Sequence, residues 1–163
     1  MHPHENLVRE FYAAFARHDA EAMARCYHDN VFFSDPAFPK LRGEEARDMW
    51  RMLVSRAPDL EITLDEAFGD AEGGRAHWTA RYTFSKTGRK VVNRIAAVFA
   101  FRDGRIARHY DRFSFWRWSA QALGPMGQVL GWFAPLKWML RRQAAAQLQR
   151  FQATKGSESF RGK

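Results

Sequence analysis

The sequence predicts an α+β fold in which N-terminal helices pack on one side of a long, curled antiparallel sheet, with extra helices at the C-terminus. Before Leu60, apolar side chains recur at helical spacing, whereas after it the hydrophobic pattern has a period of two. Three turn signals divide that second region into four strands: Gly73-Gly74, Thr87-Gly88 and Asp103-Gly104.

The first third predicts helix, helix, strand, helix. A first helix over residues 5–17 carries five apolar side chains at helical spacing: Leu7, Val8, Phe11, Tyr12 and Phe15. Asp19 is a suitable N-cap for a short second helix. After a strand at 31–34, the acidic pair Glu44-Glu45 suits the first turn of a third helix, which Pro58 ends.

Four antiparallel strands follow, and we predict them at 59–69, 75–86, 90–102 and 105–117. Each is about ten residues or longer, which lets a twisted sheet curl around the first helices. A pocket between the curled sheet and the helices is the expected result.

The segment after Arg117 is rich in Trp, Gly and Ala. Pro125 and glycines interrupt its first half, and a closing helix begins near Pro135 with one apolar face: Leu136, Leu140, Ala144, Leu148 and Phe151. We therefore predict one cone domain over 1–118, a helical extension packed on it over 119–152, and a frayed, disordered tail over 153–163.

Composition limits the functional classes. The chain has 163 residues, a net charge of +8 and a single cysteine, Cys26, so no intrachain disulfide can form. No long apolar run or signal-peptide layout occurs, and we expect a soluble, cytoplasmic protein. Nucleic acid is not an expected partner, because the arginines are scattered from Arg9 to Arg161 without a basic block.

The best candidate acid is Asp35, which follows the apolar run Val31-Phe32-Phe33 and precedes Pro36. A carboxylate held at the end of such a strand is poorly hydrated, and this raises its pKa toward that of a proton-transfer base. The alternative is a turn-forming acid, because Asp-Pro often begins turns.

The element order and three motifs together resemble the NTF2-like superfamily, which includes ketosteroid isomerases, SnoaL-like polyketide cyclases and scytalone dehydratases. The resemblance covers residues 5 to about 117, and its motifs are YHDNVFFSDPAF with the following LRG, VNRIAAVFAF and RDGRIARHYD. It implies a cystatin-like cone, a curved antiparallel sheet around an apolar cavity, and often a homodimer. A SnoaL-like isomerase, cyclase or lyase is the implied enzyme.

The resemblance places Asp35 at the position of the proton-abstracting base of ketosteroid isomerases. The chain departs from those enzymes at both donors of the oxyanion hole. Phe11 stands where the Tyr is expected, with Tyr12 one residue away, and Ala97 stands where the protonated Asp is expected. Classical ketosteroid isomerisation is therefore not expected.

On the last strand His109, Asp111 and Phe113 share one face, because their spacing is two. The resemblance makes this the cavity face, and we predict Asp35, His109 and Asp111 as the catalytic residues, with Asp111 orienting His109. Other roles remain open. His109 could be a strand histidine satisfied by a backbone group, and Asp111 could be the salt-bridge partner of His109 or of an arginine: Arg81, Arg94 or Arg112.

The predicted cavity lining is mostly aromatic, which suits a small, apolar, ring-containing carbonyl compound. The predicted ligand-contacting residues are Tyr12, Phe15, Trp50, Trp78, Tyr82, Asn93, Ile95, Phe99 and Phe113. We expect no cofactor, and no metal, since no third ligand accompanies His77 and His109. A filled core is the alternative for the aromatic residues.

The alternative function is a non-catalytic module for dimerisation or ligand binding, whose C-terminal extension contacts a protein or a membrane surface. Aromatic and basic residues occur together there, as at Trp138 and Arg141-Arg142, and such residues favour an anionic membrane surface. A helix laid across the sheet or a dimer partner, or a lid over the cavity, explains the same pattern.

Overall fold

The computed structural model describes residues 1–162 and confirms the predicted α+β fold. Its helices are α1 (Pro3–Ala16), α2 (Ala20–Cys26), α3 (Glu44–Arg56), α4 (Phe115–Leu123), α5 (Pro125–Leu130) and α6 (Ala134–Arg161). Its strands are β1 (Tyr27–Ser34), β2 (Leu41–Arg42), β3 (Glu61–Gly69), β4 (Gly74–Phe84), β5 (Arg89–Arg102) and β6 (Arg105–Arg112).

The six strands form one sheet in the order β2-β1-β6-β5-β4-β3. Only β1 and β6 run parallel, and the other neighbours are antiparallel. The β5–β6 hairpin turns at Asp103 and Gly104, which both have positive φ angles, of 52° and 69°, as the tight hairpin turn requires. Register shifts in β1, β3 and β6 increase the local twist, and the sheet curves around α1 and α3.

The core lies between α1, α3 and the concave face of the sheet. Phe11 of α1 packs against Tyr27 of β1 and Trp50 of α3, with ring centroids 5.3 and 5.8 Å away. The Asp19 side chain caps α2 by accepting the backbone N–H of Ala22 at 2.9 Å, as predicted. These contacts fix β1, and with it the segment that carries the candidate acid.

The C-terminal end of β6 differs from the prediction. The strand ends at Arg112 rather than 117, because Ser114 accepts the backbone N–H of Arg117 and caps α4. The domain boundary predicted at residue 118 therefore falls inside a helix. Trp118 consequently projects from a helix back toward the sheet, where its ring lies 5.3 Å from that of Phe84.

The end of the chain also differs from the prediction, because α6 continues to Arg161 instead of fraying at Ala153. Three hydrogen bonds hold this part of α6 to α3: Lys155 Nζ donates to Asp48 Oδ1 at 2.8 Å and to Glu44 Oε1 at 3.3 Å, and Gln152 Nε2 donates to Asp48 Oδ2 at 3.0 Å. Lys163, the last residue of the predicted tail, lies outside the described residues. Within residues 1–162, no helix combines the length and the apolar character needed to cross a membrane.

Candidate active site

A cavity of about 320 Å³ opens between the concave face of the sheet, α3, α4 and α6. Its size lies at the lower end of the range for small-molecule sites, and apolar side chains dominate its wall. Seven of the predicted ligand-contacting residues line it: Phe15, Trp50, Trp78, Tyr82, Asn93, Ile95 and Phe113. Asp35 and Asp111 reach the same wall.

Asp35 forms the turn that was its alternative role, and its side chain also lines the cavity. Its Oδ1 atom accepts the backbone N–H groups of Ala37 at 2.7 Å and Phe38 at 2.6 Å, which closes a turn directly after β1. Its Oδ2 atom has no hydrogen-bond partner among residues 1–162, and the side chain lines the cavity. The turn therefore fixes one oxygen and leaves the other for a ligand.

The pKa of Asp35 is raised to about 7, chiefly because burial removes water from the carboxylate. The Phe38 N–H group opposes this rise, the charge of Asp111 adds to it, and the more distant charge of Arg141 opposes it. By surface area the residue is only half-buried, so the desolvation comes from the apolar wall around the carboxyl group. Near neutral pH this group both accepts and returns a proton readily.

A chain of hydrogen bonds holds the second acid in place. Trp50 Nε1 donates to Tyr27 Oη at 2.7 Å, Tyr27 Oη lies 2.8 Å from His109 Nδ1, and His109 Nε2 lies 2.9 Å from Asp111 Oδ1. Because the indole N–H can only donate, the Tyr27 hydroxyl is left to donate to Nδ1 of His109. The His109 Nε2–H group then donates to Asp111, a tautomer assigned from this network.

The predicted role of His109 is corrected by this geometry. Its side chain is 0% exposed, both ring nitrogens have side-chain partners, and it does not line the cavity. It therefore positions Asp111, whereas we predicted that Asp111 orients His109. The alternative with a backbone partner is wrong as well, and among residues 1–162 no arginine forms an ion pair with Asp111.

Tyr12 and Phe99 are also corrected, because both lie in the packed core and not on the cavity wall. Phe99 stands opposite His109 in the β5–β6 register, with the two rings 4.5 Å apart, so this end of the cone is closed. Tyr12 packs against Trp78 and Phe99, and its hydroxyl oxygen has no partner among residues 1–162. Strand alternation predicts which side chains point inward, but not how wide the cone is there.

Tyr82 is the best-placed hydroxyl group of the cavity. Trp118 Nε1 donates to Tyr82 Oη at 2.7 Å, so the hydroxyl hydrogen remains free to be donated to a ligand. Burial raises the pKa of Tyr82, the Trp118 hydrogen bond opposes that rise, and the charge of Asp35 adds to it. The sequence missed Trp118, because it placed residue 117 in a strand.

Helix α6 contributes one wall of the cavity. Lys137, Leu140, Arg141, Ala144 and Gln147 line the cavity from this helix. Arg141 Nε donates to the backbone oxygen of Pro36 at 2.8 Å, which joins the helix to the turn of Asp35. The sequence signal was available, since Lys137 and Arg141 are one helical turn apart, but it was not interpreted as part of the site.

The described part of the chain offers no cluster of side chains suited to binding a metal ion. Among residues 1–162, no three His, Cys, Asp or Glu side chains come together in an arrangement that could hold a metal ion. Cys26 is buried in α2, and burial raises the pKa of its thiol to about 12.

Comparisons with known proteins agree with this architecture. The family of SnoaL-like domains matches residues 8–109, from α1 to β6. Among curated proteins, none matches the chain.

Solved structures of similar fold include an LEH-like epoxide hydrolase from M. tuberculosis, with 19% identity, a TM-score of 0.63, and coverage of 78% of this chain and 93% of that one. A putative polyketide cyclase from Pseudomonas putida has 21% identity and a TM-score of 0.63, with coverage of 75% and 98%. A ketosteroid isomerase-like protein from Catenulispora acidiphila, in complex with trimethylamine, has 15% identity and a TM-score of 0.64, with coverage of 73% and 93%. At these identities the likeness concerns the fold.

Proposed function

The chain belongs to the family of SnoaL-like domains, and on that premise we propose that its cavity binds a small, apolar, ring-containing carbonyl compound on which Asp35 performs proton transfer. One observation carries the proposal: a carboxyl group with a pKa of about 7 lines an apolar cavity with one oxygen free. A perturbed acid in a concave pocket is a typical mark of a catalytic base.

The wall of the cavity supports the ligand class. Aromatic and aliphatic side chains make up most of it, and flat rings pack well against such surfaces. Tyr82, Asn93 and the two acids are the polar groups that the sheet and the Asp35 turn direct into the cavity, and α6 adds Lys137 and Arg141, which suits a ligand with one or two oxygen atoms on an otherwise apolar body.

In the proposed reaction, Asp35 Oδ2 removes a proton from the carbon next to the carbonyl group. The C–H bond breaks, its electron pair moves into the enolate, and Asp35 becomes a neutral acid. Asp35 then returns the proton to the same carbon or to another carbon of the conjugated system, which restores the carboxylate. A pKa of about 7 makes both half-reactions accessible near neutral pH.

Tyr82 stabilises the enolate by donating its free hydroxyl hydrogen to the developing oxygen anion. Trp118 supports this donation, since its N–H group already donates to the Tyr82 oxygen and makes the O–H group a stronger donor. Tyr82 thus supplies one donor in place of the two oxyanion-hole donors that the chain lacks at Phe11 and Ala97.

Asp111 acts mainly through its charge. The chain from Trp50 through Tyr27 and His109 holds its Oδ1 atom, and its charge raises the pKa of Asp35. A second negative charge beside a carboxyl group disfavours its ionised form, so this charge helps to bring the pKa of Asp35 to about 7. His109 and Tyr27 are positioning residues in this scheme.

The proteins that share this fold support a catalytic cavity without choosing the reaction. An epoxide hydrolase and a putative polyketide cyclase share this fold, and one fold hosts several chemistries. Proton abstraction next to a carbonyl group is our choice because Asp35 and Tyr82 supply a base and a hydrogen-bond donor.

The test is hydrogen–deuterium exchange at the carbon next to the carbonyl group of bicyclic ketones such as 2-tetralone, followed by proton NMR in deuterium oxide. We expect faster loss of the signal with the protein than with buffer, and inhibition by 2-naphthol, which resembles the enol. If 2-naphthol binds but none of the tested ketones exchanges faster than in buffer, the proton-transfer part of the proposal is overturned. Absence of both would overturn the ligand class too.

A further inference from the structure

The junction of α5 and α6 carries an apolar surface that the fold does not use. We call it the α5–α6 patch and define it by six exposed side chains: Met126, Val129, Trp132, Phe133, Trp138 and Met139. Trp132 is 80% exposed, Val129 75% and Trp138 60%. Isolated exposed apolar residues are ordinary, but several large ones close together in the chain indicate a surface that contacts something.

Packing inside the chain does not account for the patch. The inward side of α6 carries Leu140, Ala144 and Leu148, which face the cavity or the core. Trp138 and Met139 lie on the other side of the same helix and remain exposed. The start of α6 is therefore apolar on two sides. A helix laid across the sheet, one of the alternatives considered from the sequence, accounts for only one of these two sides.

The charges of the chain segment that carries the patch all have one sign. Residues 113–157 contain no Asp or Glu but six basic residues: Arg117, Lys137, Arg141, Arg142, Arg150 and Lys155. Arg142 lies directly beside the patch, with its guanidinium carbon 4.7 Å from the centroid of the Trp138 ring. A partner of negative charge and apolar interior is complementary to this surface.

We propose that the α5–α6 patch docks on an anionic lipid surface. Trp132, Phe133 and Trp138 would lie at the level of the lipid carbonyl groups, where amphipathic aromatic rings are favoured. Arg142 and Arg150, both exposed, face the anionic headgroups. A second copy of the chain is a poorer occupant, because two such patches would bring basic surfaces of a chain with net charge +8 together.

The test compares the full chain on two kinds of vesicle, pure phosphatidylcholine and a 7:3 mixture of phosphatidylcholine with phosphatidylglycerol. We expect co-sedimentation with the anionic vesicles, weakening as salt is added, and little with the neutral ones. Brominated lipid should quench the tryptophan fluorescence of the bound wild-type protein, a readout that needs no variant. Failure of the wild-type chain to bind the anionic vesicles would overturn the proposal.

Two variants with matched controls locate the contact. Trp132→Ser with Phe133→Ser should lower the partition coefficient tenfold or more, whereas Phe68→Ser with Val98→Ser, on the sheet surface, should not. Arg142→Gln with Arg150→Gln should lower it about 25-fold, since each basic residue near an anionic surface contributes about fivefold. The control for this variant is Arg94→Gln with Arg108→Gln, which removes the same charge from the sheet, where both side chains are exposed.

Equal losses in the patch and control variants would overturn the proposal, because they would mean adsorption by net charge alone. A patch variant that changes the mass in light scattering, without any lipid binding by the wild-type chain, would instead assign the patch to contact between copies. Circular dichroism verifies that each variant is folded.

Discussion

Asp35 and Asp70 form the same local turn in two different regions of the molecule. Asp35 Oδ1 accepts the N–H groups of residues two and three positions ahead, and Asp70 Oδ1 does the same with Glu72 at 2.8 Å and Gly73 at 3.1 Å. Both side chains are half-buried. Asp70 lies in the loop between β3 and β4, however, whereas Asp35 lines the cavity.

The difference shows that the same turn can hold a carboxylate inside a cavity or outside one. The pKa of Asp35 reaches about 7 because of an apolar wall and the charge of Asp111, which belong to distant parts of the chain. A turn of identical hydrogen bonding elsewhere is therefore a matched control for every experiment on Asp35.

The largest expected effect separates the two aspartates directly. Asp35→Asn should slow ketone exchange by about 10²–10⁴-fold, the usual contribution of a general base. Asn keeps an oxygen that accepts the turn N–H groups, so the loss would concern proton transfer and not the fold. Asp70→Asn should leave the rate unchanged, and equal rates for the two variants, measured by the same NMR assay, would refute the assignment of Asp35.

The pH dependence of exchange is the second prediction. Since only the carboxylate form abstracts a proton, the rate should rise with pH to a midpoint near 7 and level off above it. At pH 5 the exchange rate should be about 100-fold lower than the plateau, because the carboxylate fraction falls about tenfold for each pH unit below the midpoint. Asp70→Asn should follow the wild-type profile, and a midpoint near 4 in either protein would contradict a desolvated Asp35.

Tyr82→Phe should lower the exchange rate by about 10- to 100-fold, because one oxyanion donor is lost in a half-buried site. Tyr110→Phe is its control, since Tyr110 is exposed and does not line the cavity. The variant should also weaken binding of 2-naphthol more than binding of naphthalene, measured by fluorescence titration. A uniform loss for both ligands would indicate a packing role for Tyr82.

Stability should change with pH in the direction set by the raised pKa of Asp35. Between about pH 4 and 7 the folded state binds more protons at this group than the unfolded state does, so the free energy of unfolding falls as pH rises. For a half-buried group the loss should be on the order of 2 kcal/mol. Urea unfolding at pH 5 and pH 8 should show Asp35→Asn losing less stability than Asp70→Asn; parallel losses would contradict the prediction.

The smallest effect concerns Arg141, whose charge lowers the pKa of Asp35. Arg141→Gln should move the midpoint of the pH–rate profile upward by a fraction of a unit. Arg142→Gln, its neighbour outside the cavity wall, should move it less. A downward shift in Arg141→Gln would mean that loosening of α6 admits water to Asp35.

Most of the fold follows from local patterns in the sequence. The periods of two and 3.6, the Asp103-Gly104 turn and the Asp19 cap indicate the elements, because each depends on neighbouring residues only. The Ser114 cap of α4 was not predicted, because the residues around it also fit a strand pattern. The bonds from Lys155 to α3 were not predicted, because they join residues far apart in the chain.

Strand alternation predicts which side chains of the candidate site point inward. It does not predict how deep each one lies, and the depth determines whether the side chain reaches the cavity. Alternation turns His109 and Asp111 inward together, yet only the three-dimensional taper of the cone places His109 behind Phe99 and leaves Asp111 at the wall. Tyr27 was missed because β1 begins four residues before the predicted strand. The homodimer and the cytoplasmic location stay predictions.

The parallel pairing of β1 with β6 has a consequence for the order of folding. Phe33 and His109 are register partners although most of the domain lies between them, so the sheet closes through a contact of high sequence separation, which is slow to form. A chain emerging from the ribosome without β6 would present the sides of β1 and β5 as two open edges, both prone to aggregation. The strand that completes the sheet thus also protects the nascent protein.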